Sequence, residues 1–255
     1  MLSIVVPVYD EIRTIGSVLA TLSAILPHVA KQIVVVDDCS KDGTREWLRQ
    51  NFPDGARTGT RITVNANGTL DFASTDGAAV TVQVIFHDVN KGKGAGLRTA
   101  FAAVTGDVVV IQDADLEYDP NDWLAMYDLI VVRKLADVVY GSRFYGRAHR
   151  SLFYYHYLGN RLLSVLFNLC FNQTLTDIET CYKMMTREVL QSLRLSANDF
   201  GIEVEISAQI AKQPKLRIYE LGISYYGRTY AEGKKITWKD GLKAIWYIFK
   251  FRLTG

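Results

Sequence analysis

The sequence predicts an α/β protein with a mostly parallel central sheet and helices on both faces, and two patterns in its first half carry that prediction. Short apolar, β-branched runs at Ser3–Val8, Gln32–Val36, Val82–Phe86, Asp107–Ile111 and Asp137–Tyr140 read as strands buried on both sides. Stretches with helical spacing follow them, at Glu11–Leu26, Gly43–Asn51, Gly94–Val104 and Asn121–Arg133. Strands that alternate with helices in this way make right-handed crossovers and a parallel sheet. At 255 residues, 49% of them hydrophobic, the chain is long enough for one large domain with a well-buried core.

One segment interrupts the alternation. Asp54–Ala79 is rich in Gly, Thr, Asn and Ala, and Arg61–Ala66 and Thr69–Ser74 flank Asn67-Gly68. Asn-Gly suits a two-residue turn with positive φ, so a β-hairpin is expected here, inserted before the third sheet strand. The second half reads as an aromatic-rich helix near Leu152–Phe171, then Cys181–Met185, a helix over Ile202–Lys212, a strand at Leu216–Leu221 and a last helix from Trp238 to Arg252. With no internal repeat or linker, residues 1–237 are expected to form one body, followed by an amphipathic helix over 238–255.

Composition excludes several classes. A net charge of +2 is too small to argue for nucleic acid as a partner. Cys39, Cys170 and Cys181 are far apart and form no C-x-x-C pair, so reduced thiols in the cytoplasm are expected rather than a zinc site or a disulfide framework. Leu2–Val8 lacks a basic leader and reads as a strand, not a signal peptide. No transmembrane helix is expected, because Leu152–Phe171 is broken by His156, Asn160, Arg161 and Asn168.

The chemistry-bearing motifs fall at the carboxyl ends of the expected strands, where sheets of this kind bind ligands. Asp113-Ala114-Asp115 follows the strand Asp107–Ile111 directly. Two carboxylates there can face one cleft and offer hard oxygens to Mg²⁺ or Mn²⁺, with Glu117 as a third contact. Alone, Asp-x-Asp also describes a solvated turn; its position decides for the metal. Asp37-Asp38 ends the second strand, and we take Asp37 as the group that accepts hydrogen bonds from a nucleotide base or ribose. At the end of the first strand, Pro7, Tyr9 and Glu11 offer a stacking ring and a carboxylate, although Pro7 and Glu11 equally suit a strand stop and a first helical turn. Lys93 lies in the glycine-rich run Asn90–Gly96, which lacks Walker A spacing but opens a helix whose N-terminus attracts anions. Arg143, in Gly141-Ser142-Arg143, suits bidentate phosphate binding. Arg228 and Lys235 can clamp a diphosphate and take up its charge as it leaves.

The ordered set resembles the glycosyltransferase family 2 GT-A fold, and within it the polyprenyl-phosphate and dolichyl-phosphate sugar synthases. The nucleotide-sugar half is carried by Pro7-Val8-Tyr9-x-Glu11, Asp37-Asp38, Asn90-x-Gly-Lys-Gly and Asp113-Ala114-Asp115-Leu116. Gly141-Ser142-Arg143, Thr176-Asp177 with Cys181-Tyr182-Lys183, and Arg228 with Gly233-x-Lys235-x-x-Trp238 carry the lipid-phosphate branch. The sequence departs from the pattern at Asp10, where Asn is frequent, and at Glu117, where Gln is common. By this resemblance Pro7, Tyr9, Glu11 and Asp37 hold the nucleotide, Asp113 and Asp115 the metal, Arg143 the acceptor phosphate, and Arg228 and Lys235 the diphosphate.

Together these readings predict an inverting, metal-dependent hexosyltransferase that moves sugar from a nucleotide-diphospho-sugar, of GDP-mannose or UDP-glucose type, to polyprenyl or dolichyl phosphate. A phosphate acceptor is already largely ionised at neutral pH, since its second pKa is about 6, and needs no strong base. Asp115, Arg143 and Asp177 are the catalytic candidates, Asp177 as base or orienting group. Trp238–Arg252 interleaves aromatic and basic residues, which suits an interfacial helix on the cytoplasmic face of a membrane. Relatives of this type often continue into transmembrane helices, so a membrane-embedded partner subunit is a further expectation. The competing readings are a family 2 enzyme with a saccharide or other hydroxyl acceptor, a sugar-phosphate nucleotidyltransferase, and a non-catalytic nucleotide-sugar binding module.

Overall fold

The computed structural model describes residues 1–74, 76–151, 153–229, 232 and 238–254. Five strands carry the apolar β-branched runs: β1 (Leu2–Val8), β2 (Lys31–Asp37), and further along Val80–Phe86, Val108–Ile111 and Val138–Ser142, of which only Val80–Phe86 alternates buried and half-buried residues. Ile4, Val5, Val6, Ile33, Val34, Val35 and Val36 have no exposed surface, which is why these runs show no polar face. The helices between them are α1 (Ile15–Ala24), α2 (Thr44–Asn51) and α3 (Lys93–Ala102).

The inserted hairpin is present, with β4 (Arg61–Val64) and β5 (Leu70–Ala73) paired antiparallel around Asn67-Gly68. The loop is longer than the two-residue turn expected: Gly68 N–H closes a turn on the Asn65 carbonyl (2.9 Å), and of the Asn-Gly pair only Gly68 takes positive φ (+81°). The hairpin is docked on the body: Ile62 and Leu70 are buried, Ile62 N–H donates to Ser23 Oγ (3.0 Å), and Trp47 Nε1 donates to the Gly68 carbonyl (2.8 Å). A short strand that the sequence does not announce, β3 (Ala56–Gly59), precedes it and pairs antiparallel with β6 (Val80–Phe86).

Eight strands form the main sheet, completed by β7 (Val108–Ile111), β8 (Val138–Ser142), β9 (Lys183–Thr186) and β10 (Ile218–Gly222), in the order β10-β8-β9-β7-β1-β2-β6-β3. Pairs β1–β2, β1–β7, β2–β6 and β8–β10 are parallel, whereas β9 is antiparallel to both β7 and β8. The chain leaves β1 to one side for β2 and reaches β7 on the other, so a crevice opens at the carboxyl end of β1.

The expected helix over Asn121–Arg133 is instead composite. A 3₁₀ turn at Pro120–Asp122, α4 (Trp123–Tyr127) and a π-helical turn at Asp128–Val132 follow one another. Pro120 starts the first turn, Asp119 accepts from Asn121 N–H (2.9 Å), and the last turn widens to an Arg133 N–H bond with the Asp128 carbonyl (2.8 Å). That widening keeps Trp123, Met126 and Ile130 together on the buried side.

In the second half, α5 (Tyr154–Phe171), α6 (Arg187–Ser192), α7 (Ile202–Ala211) and α8 (Trp238–Leu253) complete the fold. α8 packs on α5 and α7 through Ala244, Ile248 and Phe251. Tyr247 occupies the space beside Gly201, where a Cβ would lie 2.0 Å from the ring. Both helices also present apolar residues outward: Leu158, Leu162, Val165 and Leu169 on α5, and Leu242, Trp246, Phe249 and Leu253 on α8. No helix among the described residues is long and apolar enough to cross a membrane.

The amino end of the sheet is a closed polar network. Ser3 Oγ donates to Gln32 Oε1 (2.7 Å), which also accepts from Thr105 N–H (2.9 Å), while Gln32 Nε2 donates to the Ala103 carbonyl (2.8 Å). Beside it, Lys31 is buried, with Nζ donating to the Ser23 carbonyl (3.2 Å). Burial pushes its pKa down to about 8.

Candidate active site

Loops leaving β1, β2, β6, β7, β8 and β10 meet at the carboxyl end of the sheet around a cleft of about 430 Å³. Three of these exits turn on a non-glycine residue in the left-handed region: Asp10 (φ +52°) after β1, Cys39 (φ +64°) after β2 and Leu116 (φ +59°) after β7. Each of them adjoins an acid of the cleft, Glu11, Asp38, Asp115 or Glu117.

The loop after β1 does not continue the helix; α1 begins at Ile15, and Glu11 stays outside it. Thr14 Oγ1 fastens this loop to the β7 exit through the Ala114 carbonyl (2.6 Å). Glu11 thereby faces Arg228, which arrives from the far side of the sheet after β10. Arg228 is the hub of the cleft, with Nη2 bonding Asp115 Oδ2 (2.9 Å), Nε bonding Glu117 Oε1 (3.0 Å), and Nη1 and Nη2 each 3.3 Å from the Glu11 carboxylate. Burial works against its charge, but Asp115, Glu11 and Glu117 outweigh that and raise its pKa. Asp115 remains the strained member: burial, then Asp113, then Glu117 push its carboxyl up to about 7 against the pull of Arg228.

Asp113 and Asp115 thus share a cleft, and Glu117 lies beside them with its carboxylate fully engaged. Its carboxylate is taken by Arg228, by the Arg228 backbone N–H (3.0 Å) and by the Tyr225 hydroxyl (2.6 Å). Among the described residues no group of three or more His, Cys, Asp or Glu side chains is arranged to hold a metal ion. Asp113 instead meets Lys93 Nζ at 2.8 Å, and the same ammonium lies 3.2 Å from Glu203 of α7. Burial opposes the charge of Lys93, yet Asp113 and Glu203 hold its pKa well above the usual lysine value.

The glycines beside Lys93 serve packing. A Cβ on Gly92 or Gly94 would lie 2.4 Å from the carbonyls of Asn198 and Ala197 respectively, so these glycines let the start of α3 lie against that backbone. Pro7, Tyr9 and Ala114 line the cleft as expected. Asp37 does not: it has no exposed surface, its Oδ2 has no hydrogen-bond partner, and Arg45 approaches it at 3.7 Å. As the last residue of β2 it points into the body, and Asp38 reaches the cleft in its place. Asp38 Oδ1 accepts from Lys91 N–H (2.9 Å) and meets His87 Nδ1 (2.7 Å), and Oδ2 accepts from Gly92 N–H (2.7 Å).

Arg143, at the exit of β8, is held by Asp177 in a two-pronged pair, Nε–Oδ2 and Nη2–Oδ1 both 2.7 Å, with the Arg143 N–H also on Oδ2 (3.1 Å). Asp177 is fully buried and its own segment is braced by Glu220 of β10, which accepts from Thr176 N–H (2.8 Å) and Asp177 N–H (3.2 Å). Both oxygens of Asp177 are thus committed to the Arg143 guanidinium, which holds Arg143 in place. Two acids of the cleft carried no signal in the sequence reading. Glu203 pairs with Lys93 and with Lys183 (2.5 Å), whereas Glu179 makes no hydrogen bond among the described residues and its Oε1 is buried without a partner. Lys235 lies outside the described residues.

An α/β sheet with acids at the β7 exit and cations gathered opposite them has the architecture of the GT-A glycosyltransferase fold, and similarity to known proteins agrees. The model of glycosyl transferase family 2 matches residues 3–70 and 71–194, and the chain belongs to that family. It is 27% identical over 226 residues to glycosyltransferase AglJ of Haloferax volcanii, covering 88% of this chain and 63% of that protein. Dolichol-phosphate mannosyltransferase of Pyrococcus furiosus is 23% identical over 256 residues, 98% of this chain and 64% of that protein. Undecaprenyl-phosphate mannosyltransferase of Micrococcus luteus is 26% identical, with 90% and 85% covered. The chain thus spans just under two thirds of the first two relatives. The fold matches glucosyl-3-phosphoglycerate synthase of Mycobacterium tuberculosis in complex with Mn²⁺, UDP and phosphoglyceric acid, with a TM-score of 0.69 at 17% identity, over 100% of this chain and 79% of that one. Another structure of that synthase contains Mg²⁺ and UDP.

Proposed function

We propose that this glycosyltransferase moves a hexose, with inversion, from a nucleotide-diphospho-sugar to a polyprenyl or dolichyl phosphate at the cytoplasmic face of a membrane. One observation carries the reading. The cleft opposes the Asp113/Asp115 pair, clasped by Lys93 and Arg228, to a guanidinium, Arg143, that Asp177 holds rigid.

Asp113 and Asp115 fit a Mg²⁺ or Mn²⁺ ion by the chemistry of their donors: paired hard carboxylate oxygens, one residue apart at a buried strand end, open to a cleft. When bound there, the ion would polarise the diphosphate and take up leaving-group charge. The chain's own groups do the rest. Lys93 and Arg228 lie where a diphosphate brings negative charge, and each now rests on the carboxylates that such a ligand or ion would engage. Pro7, Tyr9, Glu11 and Asp38 form the wall for the nucleoside, with Asp38 taking the place expected of Asp37. Arg143 keeps its geometry through the Asp177 pair and offers a fixed cation to an acceptor phosphate, which orients the attacking oxygen. The acceptor brings its own charge and needs no base, consistent with Asp177 being engaged. Names of the archaeal and bacterial relatives that include dolichol phosphate and undecaprenyl phosphate support this acceptor class.

The outward apolar residues of α5 and α8, with Lys243, Lys250 and Arg252 on α8, support contact with a lipid surface, the role proposed for residues 238–255 beside the catalytic body 1–237. The test is a donor screen with Mg²⁺ or Mn²⁺ against a short polyprenyl phosphate. Formation of lipid-linked sugar is expected; transfer only to a free saccharide would replace the acceptor assignment.

A further inference from the structure

We propose that Glu179 is a specificity-determining residue that binds a hydroxyl of the transferred hexose. The inference rests on the donor reading above and adds to it the group that recognises the sugar. Glu179, half-buried, lines the cleft with Arg143, Cys181 and Glu203, yet alone among these acids and cations it has no hydrogen bond among the described residues, and its Oε1 is shut off from water. A polar group withdrawn from water without a partner is costly, and such groups in clefts are satisfied by ligand.

The neighbours narrow what that ligand group is. Arg143 is committed to Asp177, and Lys183 donates to Glu203 and to the Thr180 carbonyl, so among the described residues no cation bonds Glu179, although both charges are near enough to draw its pKa down against burial. Burial, then the charge of Glu203, raise its carboxyl to about 7, so both protonation states exist near neutral pH. An ionised phosphate offers no donor to a carboxylate and is repelled by it. A nucleobase belongs to the opposite wall, where Tyr9, Glu11 and Asp38 stand at the ends of β1 and β2. A sugar hydroxyl both donates and accepts, and it matches Glu179 in either state. Removing a hydrogen bond to such a group typically weakens binding by tenfold or more.

The experiment is calorimetric titration of wild type, Glu179→Ala and Glu179→Gln with UDP, GDP, UDP-glucose and GDP-mannose in the presence of Mg²⁺. For whichever nucleotide binds, Glu179→Ala is expected to lower affinity for the nucleotide-sugar at least about tenfold and to leave the nucleoside diphosphate within about twofold. Glu179→Gln, which still donates and accepts, is expected to retain most of the affinity. An unchanged ratio of the two affinities in Glu179→Ala, or equal weakening of both ligands, overturns the inference. If wild type binds none of the four, the donor reading itself falls and this inference with it. A second measurement needs no variant: among donors lacking one hydroxyl each, one is expected to bind wild type about tenfold more weakly than the rest, and uniform binding overturns the assignment.

Discussion

The two ends of the same sheet treat polar groups in opposite ways. At the amino end, Ser3, Gln32 and Thr105 satisfy one another and the backbone around Ala103 and Gly106, with bonds of 2.7 to 3.0 Å. At the carboxyl end, Glu11, Asp113, Asp115 and Glu117 are crowded onto Arg228 and Lys93, and Glu179 Oε1 is buried with no partner among the described residues. Closed networks hold a fold together, whereas groups left crowded or unpaired in a cleft await a ligand. The contrast separates residues that stabilise this chain from residues that act.

The largest effect expected from that contrast is at the β7 exit. Replacing Asp113 and Asp115 together by alanine is expected to reduce sugar transfer at least about 10³-fold, in steady-state assays with donor in excess, while the unfolding midpoint moves by no more than about 5 °C. Retained turnover would break the comparison at its centre. Next comes the Arg143–Asp177 pair. Arg143→Ala and Asp177→Ala are each expected to cost about 10²-fold, and the double variant no more than the worse single one, since Asp177 acts through Arg143. A multiplicative loss in that double-mutant cycle would make Asp177 an independent participant.

At the other end of the sheet the signs reverse. Gln32→Leu strands the donors of Ser3 and Thr105 and is expected to cost about 2–3 kcal/mol in chemical denaturation while leaving kcat/KM unchanged. The smallest effect concerns Lys31. Its folded-state pKa, near 8, is below the 10.5 of the ordinary side chain, so between those values the unfolded chain binds more protons and stability rises with pH. The rise is expected to be no more than about 1.4 kcal/mol per pH unit and to be missing in Lys31→Met, when the two unfolding curves are subtracted.

Where local pattern decides structure, the sequence was a good guide. β-branched runs became β1, β2, β6, β7 and β8, Asn67-Gly68 fell within the hairpin loop, and Asp113-x-Asp115 came to the cleft because it leaves a buried strand directly. What it missed depends on contacts made across the chain. β9 inserts antiparallel between β7 and β8, an order that no local pattern encodes. Asp37 and Asp38 look alike in sequence, and only the direction of the last β2 residue and the turn at Cys39 tell them apart. Asp177 stood in the sequence as base or orienting group, and the contact that favours the second comes from Arg143, 34 positions away, which occupies both oxygens. Glu117 was drawn off by a residue more than a hundred positions distant.

The left-handed residues at the three strand exits bear on what can change here. A non-glycine residue in that region carries strain of about 1–3 kcal/mol, which the surrounding fold must hold. The free energy of shaping the rim is then met during folding, so a substrate arriving there finds a cavity already formed and loses little affinity to ordering it. Valine or isoleucine at position 39 or 116 would fight the backbone itself, while glycine or asparagine would be accommodated, which makes these positions better handles on cleft shape than the acids they present.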